Sequence, residues 1–151
     1  MSGLSIGTNL AWQIAAGEAS AAKHQYIDKE HIFNGLCKAG DLLNPEVLRQ
    51  AGAGLENIEE VRLELDRIDE LFRRFELDRV KMRRRLRQLM KLGNYQHQED
   101  VVHRSAACKK TFQRAEEISS GYGSEVVQSI HLLLAIMEDA GEFIPQLFSE
   151  Y

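Results

Sequence analysis

The sequence predicts an all-α fold made of two pseudo-repeats of short helices joined by a long, charged amphipathic helix. Three observations support this prediction. The chain has only two prolines in 151 residues, a stretch near residue 26 returns near residue 126, and residues 55–92 contain neither glycine nor proline. Few helix breakers, together with apolar residues at helical spacing, favour helices over strands.

The repeated stretch is "YIDKEHIFNGL" at 26–36, which returns as "VVQSIHLLLAI" at 126–136. A shift of 100 residues places identical residues over each other at six positions without a gap. Because a repeated spacing predicts a repeated structural unit, we interpret this as an internal duplication. The whole chain, 1–151, is then one pseudo-duplicated domain, with repeat one at 4–54 and repeat two at 105–151.

Each repeat is predicted to contain three helices whose limits are set by the same residue types. Serine or aspartate caps a helix start, glycine ends a helix, and proline suits a first turn. The marker residues are Ser5, Asp28, Gly40 and Pro45 in repeat one, and Ser105, Ser129, Gly141 and Pro145 in repeat two. Small residues such as Ala11, Ala15 and Ala19 recur at helical spacing, which predicts close approach of a neighbouring helix. A polar loop over 93–104 leads into repeat two.

The segment 55–92 between the repeats is different in kind. Its apolar residues follow alternating steps of three and four, interrupted only at Arg79, which is typical of a helix with one apolar stripe. Residues 55–70 carry seven acids and two bases, whereas 71–92 carry nine bases and two acids. A continuous helix here would be roughly 57 Å long. We therefore expect part of it to project as an arm, or the chain to fold back near "FELDRV" at 75–80.

Composition argues against several classes of protein. A formal charge of −4 gives no preference for a polyanionic partner. The first residues lack a basic and apolar leader, and no run approaches the ~18 apolar residues of a membrane span. We therefore expect a cytoplasmic protein without a membrane partner. Cys37 and Cys108 follow no motif, so we expect them to be buried, reduced thiols that fill apolar space.

Motifs for catalysis are missing from the sequence. It has no GxxxxGK[ST] loop for phosphates, so we expect no ATP hydrolysis by this chain. His24, Glu30 and His31 can be considered as metal ligands, but three ligands with suitable geometry do not follow from their spacing, and we expect no metal and no cofactor. His31 and His131 are better explained as side chains that hydrogen-bond within a first helical turn. The stretch "KMRRRLR" at 81–87 is interpreted as a solvated helix face, so nucleic acid is not an expected partner.

The repeated residues carry a family resemblance. The stretches "AAGEASAAKHQYIDKEHIFNGL" and "FQRAEEISSGYGSEVVQSIHLLLAI" resemble the two repeats of the Clp amino-terminal domain, which have an Ala-rich first helix followed by a "GH…IGTEHILLGL"-like stretch. This domain is a double four-helix repeat that precedes the ATPase rings of Clp-type AAA+ unfoldases and disaggregases. The resemblance covers 4–54 and 104–151. The long connection departs from the family pattern, and the chain stops at Tyr151, before the helix that usually closes repeat two.

The resemblance implies a binding module that does not itself hydrolyse ATP. Such domains are tethered to the ATPase ring of the parent chain and receive unfolded protein segments or adaptor proteins. The residues agree with this interpretation, because they form a duplicated helical scaffold without a catalytic constellation. We therefore expect a non-catalytic substrate- or adaptor-docking domain of a Clp-type unfoldase, protease or disaggregase.

The expected binding residues lie at the starts of the second helices of the repeats. Free backbone amides and the positive end of a helix dipole can bind acidic or phosphorylated groups there. We expect peptide, adaptor or phospho-group binding at Asp28, Lys29, Glu30, Gln128 and Ser129.

Some members of the family bind phosphorylated arginine through the Glu of each "TEH" signature. Repeat one keeps this acid as Glu30, with Lys29 where the threonine would be. Repeat two keeps a hydroxyl at Ser129 but has Ile130 in place of the acid, and an isoleucine cannot pair with a guanidinium. The resemblance therefore implies at most one weak site for such a ligand.

Two other functions follow from the residues alone. The long apolar stripe could make the protein a helical scaffold that dimerises as a coiled coil. Alternatively, Glu30 and His31 could act as an acid–base pair in a small enzyme.

Overall fold

A computed structural model describes residues 3–151, and in this range the protein is almost entirely helical. The sequence-predicted all-α class is confirmed. The α-helices are α1 (Ile6–Ala21), α2 (Lys29–Lys38), α3 (Pro45–Gln50), α4 (Ile58–Arg74), α5 (Arg79–Met90), α6 (Ala106–Gly121), α7 (Ser129–Glu138) and α8 (Phe143–Ser149). Short 3₁₀ turns lie at Ala39–Leu42 and Leu55–Asn57.

The two halves of the chain are joined by reciprocal backbone pairing. Strands β1 (Gly3–Leu4) and β2 (Val126–Val127) are parallel, and the Ser5 amide donates to the Val127 carbonyl oxygen at 2.9 Å. The Ser105 amide likewise donates to the Ile27 carbonyl oxygen at 2.9 Å. The equivalent residues of these two bonds, Ser5 with Ser105 and Ile27 with Val127, lie 100 residues apart in the chain. Although the sequence favours helices over strands, these short segments pair as strands, because each repeat needs hydrogen-bond partners for its entering backbone.

The first helices begin as the sequence predicts. The Ser5 hydroxyl accepts from the Thr8 amide at 3.1 Å, and the Ser105 hydroxyl accepts from the Cys108 amide at 3.1 Å. Both N-caps are confirmed. Close approach of α2 to α1 is also observed, since a Cβ placed on Gly35 would lie 2.3 Å from the Ala11 carbonyl oxygen.

The third helices follow their markers less closely. Helix α3 begins at Pro45, with its Asn44 side chain capping the first turn. Helix α8 begins at Phe143, two residues before Pro145. Gly40 does not end α2, because the helix tightens into the 3₁₀ turn Ala39–Leu42 that carries the chain onward.

The long helix of the predicted fold class is not continuous over 55–92; the chain folds back near "FELDRV" as a helical hairpin, the second of the two arrangements expected. Helix α4 ends at Arg74 and α5 begins at Arg79. Glu76 takes a left-handed φ of 56°, and the Leu77 amide donates to the Phe72 carbonyl oxygen at 2.9 Å. The Asp78 carboxylate then accepts from the amides at the start of α5. These C-terminal and N-terminal caps allow both apolar stripes to face the repeats.

The hairpin is part of the core and does not project as an arm. Ile68, Phe72, Met82 and Leu86 are buried together with residues of both repeats. Arg79, which interrupts the apolar spacing, lies at the fold-back. Its guanidinium donates to the Cys37 carbonyl oxygen at 2.7 Å and pairs with the Asp69 carboxylate at 3.2 Å and the Asp41 carboxylate at 3.6 Å. Arg79 therefore fixes the hairpin to the end of α2.

The core joins both repeats around aromatic contacts. Phe33 meets Phe72 of α4 and Phe148 of α8, each with ring centroids 6.0 Å apart. Trp12 and Phe112, which occupy equivalent positions in the repeats, pack at 5.2 Å. The larger of two apolar clusters therefore spans α1, α2, the hairpin and the second half of the chain.

The polar loop 93–104 runs beside the end of α1. The Gly93 amide donates to the Ala22 carbonyl oxygen at 2.8 Å, and the Tyr95 amide donates to the Lys23 carbonyl oxygen at 3.0 Å. A Cβ on Gly93 would lie 2.2 Å from the Lys23 oxygen, so the close approach requires glycine.

The α1–α2 contact gives a prediction about stability. We expect Gly35→Ala to lower the free energy of unfolding by about 3 kcal/mol, because the added methyl meets rigid backbone. Gly17→Ala is the matched control, since a Cβ at Gly17 meets nothing within 4 Å; it should raise stability by about 0.5–1 kcal/mol. Urea unfolding followed by circular dichroism measures both. Equal effects of the two changes would show that the helices are not packed this closely.

Candidate functional site

The first predicted binding segment is the start of α2. The Asp28 amide donates to Nδ1 of His31 at 2.9 Å, which closes the first turn. In repeat two, the Gln128 amide makes the same bond to Nδ1 of His131 at 3.0 Å. The structural role predicted for the two histidines is confirmed.

Lys29 and Glu30 lie under the turn that follows α7. The Lys29 ammonium donates to the Asp139 carbonyl oxygen at 2.7 Å and lies 3.7 Å from the Asp139 carboxylate. Glu30 is only 7% exposed, and a Cβ on Gly141 would lie 3.2 Å from its carboxylate. Burial raises the pKa of the Glu30 carboxyl, while its own backbone amide opposes this. These two charged groups are therefore part of the interface between repeats.

The second predicted segment is the start of α7, and it already holds an anionic group. The Glu64 carboxylate, from α4, accepts from the Ser129 amide at 2.9 Å and from the Ser129 hydroxyl at 2.6 Å. The same carboxylate oxygen accepts from the Ser5 hydroxyl at 2.7 Å. A carboxylate at a helix N-terminus is stabilised by the free amides and the helix dipole. The hairpin thus supplies an internal partner where an external one was expected.

The structure does not gather the five expected residues on one open surface. Lys29, Glu30 and Ser129 are buried, and only Asp28 and Gln128 are half-buried. The Gln128 side chain accepts from Arg67 of α4 at 3.4 Å. An external acidic group at either helix start would therefore have to displace existing contacts.

A chain of hydrogen bonds connects α2 to the end of the hairpin. Because Nδ1 of His31 accepts from Asp28, its Nε2 carries the proton and donates to Nδ1 of His24 at 2.8 Å. Nε2 of His24 then donates to the Lys91 carbonyl oxygen at 2.8 Å. Each ring nitrogen has one defined role only when both histidines are neutral. Burial is the main reason that the pKa of His31 is lowered to about 4, and the neighbouring His24 lowers it further.

The residues considered as metal ligands do not converge. His24 and His31 are in contact, but Glu30 lies under the Gly141 turn. Within residues 3–151, no group of three or more His, Cys, Asp or Glu side chains could hold a metal ion.

The two cysteines are buried free thiols, as expected. Burial raises the pKa of both Cys37 and Cys108 to about 12.

An apolar cleft lies beside the turn of the hairpin, at a place that no motif in the sequence predicts. This hairpin-tip cleft has a volume of about 180 Å³ and only apolar lining residues: Leu71, Phe72, Phe75, Leu77, Leu133, Met137 and Phe148. Phe75 is 68% exposed and Met137 is 43% exposed, whereas Phe72 is 5% exposed. Large apolar side chains that remain in water beside a concave surface are typical of a protein-binding site.

Comparison with known protein families decides the identity of the fold. The sequence matches the Clp repeat (R) N-terminal domain over residues 8–150. The chain belongs to the Clp repeat N-terminal domain family. A comparison with curated proteins finds no significant match.

The residues that match the family agree with the elements seen in the structure. The match covers both repeats and the hairpin between them, so the hairpin lies inside the family unit. Domains of this family bind other molecules and are not catalytic. None of the helices over residues 3–151 is both long and apolar enough to cross a membrane.

Two structural features of this Clp repeat domain are not evident from the sequence: the carboxylate that binds Ser129 and the exposed ring at the hairpin turn. Glu64 was counted only among the acids of the charged segment, because nothing local links it to Ser129. Phe72 and Phe75 both follow the apolar spacing predicted for 55–92, and only the break in the helix separates the exposed ring from the buried one. Asp78 was a local signal for that break, since aspartate is a preferred N-cap.

Two arginines of the basic stretch at 81–87 pair with carboxylates of this Clp repeat domain. Arg85 makes a two-bond contact with Glu150 at 2.7 and 2.9 Å, and Nε of Arg87 donates to Glu18 at 2.9 Å. Met82 and Leu86, within the same stretch, are buried.

The histidine pair predicts a loss of stability in acid. The pKa of His31 is lowered from 6.5 to about 4 by folding, so the unfolded chain takes up the proton first as pH falls. The contribution of neutral His31 to the free energy of unfolding is therefore fully present above about pH 6.5. It is lost as the pH falls toward 4. Between pH 7 and pH 5 we expect this group to cost roughly 2 kcal/mol of unfolding free energy.

The control for this prediction separates His31 from the other titrating groups. His31→Asn keeps an acceptor for the Asp28 amide but cannot titrate, so it should flatten the pH dependence between pH 7 and pH 5. His103→Asn should keep the slope that His31 causes, because His103 does not belong to the His24–His31 pair and its side chain is 70% exposed. Urea unfolding at several pH values gives the slopes. An unchanged slope in His31→Asn would contradict the assignment.

Proposed function

We propose that this chain is the substrate- or adaptor-docking domain of a Clp-type ATP-dependent unfoldase, protease or disaggregase. The parent chain would supply an ATPase ring, and this domain would deliver unfolded segments or an adaptor protein to it. We further propose that docking takes place at the hairpin-tip cleft. The observation that supports this choice most directly is the exposed Phe75 ring beside apolar walls.

The cleft suits binding of an apolar peptide segment. Phe75 offers a large ring at the surface, and Met137 on the opposite side has a flexible, polarisable side chain that adapts to different partners. The backbone beneath is fixed, because Phe72 packs edge-on against Phe33. A rigid base with adaptable side chains at its rim can accept many sequences without a large ordering cost.

The two alternative functions, a scaffold that dimerises as a coiled coil and a small acid–base enzyme, lose support. A coiled-coil seam would need Phe72 and Leu86 at the surface, but both are buried in the chain's own core. An acid–base pair would need a free nitrogen on His31, but its two ring nitrogens bond Asp28 and His24.

Binding of an acidic or phosphorylated group at the helix starts remains a separate prediction. It would require Glu30 to leave its buried position in repeat one, or Glu64 to leave Ser129 in repeat two. Ile130 still provides no carboxylate for a guanidinium, so at most one weak site is expected.

The docking proposal predicts that Phe75→Asp weakens binding without unfolding the domain. Because the ring is exposed, the change in unfolding free energy should be within about 0.5 kcal/mol. Binding of a reduced, carboxymethylated unfolded protein, measured by surface plasmon resonance, should weaken at least about tenfold, because a charge replaces the exposed ring.

Phe72→Asp is the matched control for this test. It buries an unpaired charge in the core and should unfold the domain. Tyr122→Asp tests whether the loss of any exposed aromatic ring weakens binding. Tyr122 is 75% exposed and lies outside the cleft. The Tyr122→Asp variant should therefore bind the unfolded protein as the parent does. If Phe75→Asp binds the unfolded protein as well as the parent does, the cleft is not the docking surface.

A further inference from the structure

A second cleft lies on the other side of α2, between α1 and the end of the hairpin. It has a volume of about 550 Å³, within the ~300–1,000 Å³ range of ligand pockets. One wall is a face of α1 that includes Ile14 and Glu18, and the other is a face of α2 that includes Asn34 and Lys38. Met90 and the residues after it close the end. We call this the α1–α2 cleft.

A buried acceptor without a donor lies in this cleft. Asn34 is 1% exposed, and its Oδ1 has no hydrogen-bond partner among residues 3–151. The neighbouring His31 cannot serve as the donor, because both ring nitrogens are engaged. Buried carbonyl oxygens in folded proteins are almost always paired, so the oxygen of Asn34 offers an open acceptor position that an N–H group of a ligand can fill.

The charged groups around the cleft favour an anion. Lys38, Arg87 and Lys91 line it, against the single carboxylate of Glu18. Glu18 is shared, since it lies 3.9 Å from the Lys38 ammonium and accepts from Nε of Arg87 at 2.9 Å. The lining residues therefore carry a formal excess of two positive charges when the histidines are neutral. A second carboxylate would be attracted to the exposed side of Lys38 and Arg87.

The remaining walls are apolar. Ile14, Leu42, Met90 and Leu92 present aliphatic or thioether side chains. The ligand must therefore combine an apolar group with a carboxylate and an N–H donor. A fatty acid has no N–H to give Asn34, and a phosphate ion has no apolar part.

We propose that the α1–α2 cleft binds the free carboxyl terminus of a polypeptide whose last side chain is apolar. The terminal carboxylate pairs with Lys38 and Arg87, the last backbone amide donates to Asn34, and the last side chain enters the apolar walls. Asn34 and Lys38 are one helical turn apart on α2, roughly 5–6 Å between Cβ atoms. Both side chains are therefore on the same face of α2, where one C-terminal residue can present its amide to Asn34 and its carboxylate to the longer Lys38 side chain. This inference rests on the docking function proposed above and specifies one class of substrate.

The test is fluorescence anisotropy with three labelled octapeptides that share one sequence. The first ends in Ala-Leu-Leu with a free carboxylate, and the second ends in the same residues with a terminal amide. The third also has a terminal amide, but its last residue is aspartate instead of leucine. We expect the free acid to bind and the terminal amide to bind at least about tenfold more weakly, because the charge pair is lost. Equal binding of acid and amide would overturn the proposal. Tighter or equal binding of the aspartate amide would assign the cleft to acidic side chains instead.

Variants of the protein test the assigned residues. Asn34→Leu removes an unpaired buried acceptor and should keep the fold, because an apolar group of similar shape replaces it; it should weaken the free acid at least about fivefold, since the amide then has no acceptor. Lys38→Gln should also weaken the free acid, whereas Lys110→Gln, exposed on α6 and outside the cleft, should not. Unchanged binding in both Asn34→Leu and Lys38→Gln would overturn the proposal.

The result can be separated from the docking test at the hairpin tip. Phe75→Asp should bind the free acid as the parent does, because Phe75 does not line the α1–α2 cleft. If the free acid fails to bind while the unfolded protein still binds through Phe75, this inference fails alone. If the free acid binds and Phe75→Asp has no effect on the unfolded protein, only the hairpin-tip assignment fails.

Discussion

The carboxylate of Glu64 is the contact on which the arrangement of the domain depends. It lies where α1, α4 and α7 meet, and it accepts from Ser5 and from two groups of Ser129. A charge placed there without these donors would be costly, so the helix starts and α4 constrain one another. Gly7 belongs to the same constraint, since a Cβ there would lie 2.6 Å from the Glu64 carboxyl carbon.

This contact explains how the long connection between the repeats becomes part of a compact fold. Through Glu64 the hairpin occupies one end of α7, through Arg79 it is fixed to the end of α2, and its apolar stripes fill the core between repeats. It also changes which surfaces are accessible. The helix start at Ser129 is closed, while the fold-back leaves Phe75 in solvent beside an apolar cleft. The residues after α5 close a second cleft over α1 and α2.

Local signals predicted much of this fold. Ser5, Ser105 and Pro45 marked helix starts, because caps and prolines act within one turn. His31 and His131 were correctly assigned to first-turn hydrogen bonds for the same reason. The sequence does not decide between the fold-back and a continuous helix, because glutamate rarely takes the left-handed conformation that Glu76 has at the turn.

The site was less predictable, because its contacts join distant parts of the chain. Glu64 and Ser129 are 65 residues apart, and no spacing rule connects them. Lys29 is held by Asp139, which is 110 residues away. Asn34 lies in the middle of an ordinary buried helix, and only the assembled cleft shows that its oxygen lacks a donor. A sequence pattern reports faces and ends of helices, whereas these features arise from packing.

Native-state hydrogen exchange tests most directly whether the hairpin and the two repeats form one cooperative unit. In the parent protein, the slowest amides of α4 and α5 should exchange with the same free energy as those of α1 and α6. Glu64→Ala should lower all of these values together by about 2–3 kcal/mol, since the amide and hydroxyl of the buried Ser129 and the hydroxyl of the half-buried Ser5 lose their acceptor. Glu60→Ala, exposed one turn earlier on α4, should leave them unchanged. Amides of α4 and α5 that exchange through a lower-energy opening, while the repeats stay protected, would show that the hairpin is a detachable arm and would contradict this account.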